Sequence, residues 1–136
     1  MEITENTVYD TQVFKYGVYH RENVKWLQNL AFYREELTYF FTLQDNVKSK
    51  NTSLEVLNPV FVFDVRLGNL QKESDELLLN INQEEWSFED DALGREFLLG
   101  EEIYDHHNTT RERYQAFENE FIATKHEFYK FLSKVL

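Results

Sequence analysis

The 136-residue chain is 42% hydrophobic, has no cysteine and carries a formal charge of -11. That length suits one domain with a core of its own. The missing cysteines exclude disulfides, thiol nucleophiles and cysteine-ligated zinc or iron–sulfur centres. The negative field is the opposite of a nucleic-acid footprint, and apolar runs such as Phe97-Leu98-Leu99 are too short for a membrane span, so neither partner is expected. The opening Met-Glu-Ile-Thr-Glu-Asn lacks the basic and apolar regions of a signal peptide, which points to a cytoplasmic protein.

Four glycines and one proline leave few helix breakers. Residues 1–20 mix Val8, Tyr9, Val13, Phe14, Tyr16, Val18 and Tyr19 with polar positions and read as an extended arm. Apolar spacing then predicts a helix over 21–49, with Trp26, Leu30, Tyr33, Leu37, Phe40, Gln44 and Val47 at alternating steps of four and three. A second helix over 52–83 carries Val56, Val60, Phe63, Leu67, Leu70, Ser74, Leu77 and Ile81 in the same rhythm. Asn58-Pro59 leaves its start open, since proline suits a first helical position and disturbs an interior. The helix either starts at 58 or starts near 52 and kinks there.

Residues 84–108 read as a long acidic connection, beginning as a continuation of the second helix and holding a short helix near Phe88 to Leu99. A last helix over 109–135 carries Tyr114, Phe117, Phe121, Thr124, Phe128, Phe131 and Val135, with Thr109-Thr110-Arg111-Glu112 as a capping box. The fold class expected is all-α: an antiparallel bundle of three long helices with coiled-coil-like packing.

The runs Trp26-Leu27, Phe32-Tyr33-Arg34-Glu35-Glu36-Leu37, Ser74-Asp75-Glu76-Leu77, Phe128 and Lys130-Phe131-Leu132 are similar to those of a group of small uncharacterised bacterial helical-bundle proteins. The resemblance covers about half the chain. It implies a helical bundle and carries no activity or site residues. Pro59 departs from the continuous second helix of that group.

Chemistry-bearing motifs are sparse. A carboxylate-bridged metal bundle needs Glu-x-x-His pairs facing the core, and none of His20, His106, His107 and His126 has a glutamate three residues earlier. The helix rows above contain no carboxylate and no histidine. Glu102, Asp105, His106 and His107 form the one sequence cluster with metal-ligand chemistry, Glu102, His106 and His107 being its candidate ligands, and a solvated loop ahead of the last helix is the reading preferred over it. His126-Glu127 lacks the second histidine of a zinc protease, and Glu89-Asp90-Asp91 lacks the oxygen donors of a calcium loop. No phosphate loop or nucleophile elbow is present. No cofactor, catalytic residue or resident metal is expected.

Two features point to association. Trp86, Phe88, Phe97, Leu98 and Leu99 would form an exposed interaction patch if they do not cover the bundle. Residues 84–105 hold nine acids against Arg95 alone, a surface for a basic protein partner. Second stripes at Leu27, Phe41, Leu57, Leu78, Tyr129 and Leu132 are wide enough for a second copy to cover, so a twofold homodimer is expected. The leading functional expectation is a non-enzymatic helical interaction or scaffold protein that associates with itself. The alternatives are a bundle binding a small molecule, haem or metal, favoured by a polar cluster around Gln44, Ser74 and Thr124, and an enzyme with an unrecognised site.

Overall fold

A computed structural model describes the backbone of residues 5–92 and 100–136 and the side chains of 14–89 and 102–136. The chain forms α1 (Glu5–Lys50), α2 (Leu54–Ala92) and α3 (Gly100–Val135), with no strand among the described residues. At about 1.5 Å per residue, α1 alone is about 69 Å long. No described helix is long and apolar enough to cross a membrane.

The three rows interdigitate as one core. Phe40 lies 5.4 Å from Phe128, Phe63 lies 5.3 Å from Phe128, and Tyr33 lies 4.5 Å from Phe121, ring centre to ring centre. Cross-helix bonds fix the directions. Asn29 meets Tyr114 and Tyr33 meets Glu118, a constant offset of 85 that makes α1 and α3 parallel. Arg34 meets Asp75 while Lys48 meets Asp64, so α2 runs antiparallel to α1. Arg113 meets Glu73 while Arg66 meets Glu127, so α3 runs antiparallel to α2. The expected antiparallel three-helix bundle is thus the observed architecture.

Element boundaries differ from the sequence reading at the arm and at the connection, and the structure decides between the two starts left open for the second helix. The arm is not extended, because α1 begins at Glu5. Its core row runs back from Trp26 through Asn23 to Tyr19, both buried, and the polar residue hid that continuity. Most of the presumed connection is helical as well. The α2 row runs on from Ile81 through Glu84 to Phe88, and the α3 row runs back from Tyr114 through Thr110 and His107 to Ile103. Thr110 therefore sits in the core inside α3 and caps nothing. Helix α2 starts at Leu54, not at 58. The Ser53 carbonyl accepts from the Val56 and Leu57 amides at 3.1 and 2.9 Å, and its hydroxyl accepts from the Glu55 amide at 3.3 Å. That cap secures the first turn, and Pro59 lies within the helix. The α1–α2 turn is only Asn51 to Ser53, and Asn51 closes α1 by donating to the Val47 carbonyl at 2.9 Å.

Candidate functional site

The bundle holds a charged layer where the extended rows carry polar residues. Asn23 on α1, Glu84 on α2 and His107 on α3 occupy successive core positions, and all three are buried. His107 Nδ1 lies 2.6 Å from Glu84 Oε2, and its Nε2 lies 2.9 Å from Glu22 Oε1. Each ring nitrogen of His107 thus faces a carboxylate oxygen within hydrogen-bond distance. Tyr19 stacks on the imidazole at 4.0 Å and Trp26 at 5.0 Å. Asn23 Nδ2 donates to Glu84 at 2.6 Å and to Glu85 at 3.0 Å. Its Oδ1 is buried without a partner. Arg111 forks onto Glu22 from the rim.

Both carboxyls are held below their ordinary value of 4.5. For Glu84, burial pushes upward, and the hydrogen bonds from His107, Asn23 and His106 outweigh it. For Glu22, the Arg111 hydrogen bond is the largest influence, opposed by burial and reinforced by His107. Further along the α1–α3 seam, burial and the bond to Glu118 push the Tyr33 phenol up to about 12.

The sequence trio Glu102, His106 and His107 is split by this layer. His107 turns into the core, with both nitrogens consumed by carboxylates. His106 remains exposed, with Nδ1 3.3 Å from Glu84 Oε1, and Glu102 stands in solvent. Glu102 and His106 line a groove of about 170 Å³ with Gln83, Glu84, Ser87 and Ile103. Among the described residues, no group of three or more histidine or acidic side chains is arranged to hold a metal ion. Contrary to the expectation from the sequence, the core rows do contain a carboxylate, Glu84, and a histidine, His107. Both lie beyond Ile81 and Tyr114, where the apolar rows read from the sequence end.

The other buried polar residues do not gather into one site. Gln44 donates to the Val60 carbonyl at 2.8 Å, Ser74 donates to the Gln71 carbonyl at 2.7 Å, and Thr124 donates to Glu120 at 3.1 Å. Each is satisfied at its own level of the bundle, apart from an unpartnered Gln44 Oε1.

The expected apolar surfaces are redistributed. Trp86 is 58% exposed, while Phe88 is half-buried and stacks on Tyr16 at 5.0 Å. Phe97, Leu98 and Leu99 lie outside the described residues. Of the second stripes, Leu132 is buried, and Leu27 and Phe41 pack on the core from its flank. The apolar side chains left outward along the α1–α3 seam include Tyr129 of those stripes, joined by three others. Phe32 (57%) and Tyr39 (56%) stand seven residues apart on α1, and Ile122 (55%) and Tyr129 (44%) seven apart on α3. The contact of Glu36 with Lys125 falls between Phe32 and Tyr39 on α1 and between Ile122 and Tyr129 on α3. There Lys125 Nζ lies 2.8 Å from Glu36 Oε2.

No family model matches the chain, and neither do curated proteins or solved structures.

Proposed function

We propose that the chain is a non-enzymatic helical interaction protein, a scaffold that associates with itself. The observation that supports this reading is the apolar cluster on the α1–α3 seam. Four large apolar side chains, each about half exposed, stand on the adjoining sides of two helices whose inward faces are already packed. A cluster of exposed apolar side chains of this kind supports an interface there. The charged layer at His107 fits the same reading, because its groups are turned toward one another, as in a device that fixes helix alignment. A basic protein is the second partner in this reading. It would meet Trp86 and the exposed acids Glu89, Glu102 and Asp105 at the far end of α2.

Sedimentation velocity tests the reading. The wild-type chain is expected to move from monomer to dimer between roughly 1 and roughly 100 µM, and Phe32→Asp to shift that transition at least about tenfold upward. A chain that stays monomeric throughout overturns the proposal.

A further inference from the structure

The self-association proposed above has two possible twofold arrangements on the α1–α3 seam, and charge discriminates between them. A face-to-face dimer needs its twofold axis in the plane of that face. With the axis across the helices, each α1 lies antiparallel on the partner's α1. Glu36 then faces the partner's Glu36, and Lys125 faces the partner's Lys125. With the axis along the helices, each α1 lies parallel to the partner's α3. Glu36 of each copy then faces Lys125 of the other, and the four groups alternate in sign around the axis.

We infer that a second copy of this chain docks on the α1–α3 seam with its twofold axis along the bundle. Four parallel helices, two from each copy, surround that axis. Phe32 packs against the partner's Ile122, and Tyr39 packs against the partner's Tyr129. Each of the two pairs lies within about one helical turn of the Glu36–Lys125 contact, on the same side of it along both helices. Exposed Glu35 adds a second acid beside the partner's Lys125. Charges flanking an apolar seam set partner and orientation in helical assemblies, and like charges placed opposite one another work against the wrong one.

The absence of cysteine makes the test direct. Phe32→Cys and Ile122→Cys chains are co-expressed with different tags and oxidised after purification, with Tyr39→Cys and Tyr129→Cys as an independent second pair. All four positions are about half exposed, and circular dichroism verifies that each variant folds. The expected result is a disulfide joining the two differently tagged chains in at least one pair, and no self-linked dimer from Glu36→Cys. A self-linked Glu36→Cys dimer overturns the alignment in favour of the antiparallel one. Dimers on sedimentation without either mixed disulfide place the interface elsewhere and leave self-association standing. A monomer at every concentration overturns both.

Discussion

His107 is the residue whose environment most constrains the molecule. Its ring is fully buried, each nitrogen faces a carboxylate, and aromatic rings lie on both faces. Removing one partner of such a pair strands the other charge in the core. We expect His107→Ala to lower unfolding free energy by about 3–5 kcal/mol, read by urea denaturation at pH 7. The same layer sets the acid limit. A carboxyl held below its ordinary value contributes stability that is present above the unfolded value and lost as pH falls through the folded one. The wild-type melting temperature is therefore expected to fall below about pH 4.5. Glu84→Gln should be less stable at pH 7 yet show a shallower acid slope, and an unchanged slope would remove Glu84 from the account. Tyr33 sets the opposite limit. Its raised value means stability that is intact below pH 10 and lost toward pH 12. Tyr33→Phe is expected to flatten that alkaline decline in a melting series.

At the level of elements, the steps of three and four alone located the middle of all three helices, because large apolar side chains at those steps have few other ways to leave water. The same rule failed at the ends, where the rows continue through Asn23, Glu84 and His107. A polar residue in a core row looks like the end of a helix until its partners on the other helices are known. Those partners lie 23 to 85 positions away, beyond any local pattern. The row itself was legible: counting back from Tyr114 by four, three and four reaches Thr110, His107 and Ile103. The capping box at Thr109-Thr110 misled for a related reason. Its residues fit a cap, and the apolar row ran through it. Pro59 is the other local conflict. It cannot donate to the Glu55 carbonyl one turn earlier, and its ring crowds that oxygen. Pro59→Ala is expected to raise stability by about 1–3 kcal/mol, measured by denaturant unfolding, since α2 already starts upstream at the Ser53 cap.

For the whole molecule, folding and association are expected to be linked. A dimer that forms only from folded chains gains stability by mass action, so its melting temperature depends on protein concentration. We expect a rise of about 2–4 °C for each tenfold increase in concentration, seen by calorimetry, and no such rise for Phe32→Asp.

The charged layer also restricts how the helices can slide. An apolar seam that repeats every seven residues packs almost as well after a slip of one repeat, about 10.5 Å along the axis. A slip of α3 by one repeat would carry His107 away from Glu22 and Glu84 and set it beside Leu30 and Leu77, both fully buried. Glu84 would then lie level with Gly100, which has no side chain to pair with it. Among the many alignments that a repeating seam permits, one matches every charge. The three helices can thus be long without being interchangeable along their length, like a ruler with a single notch.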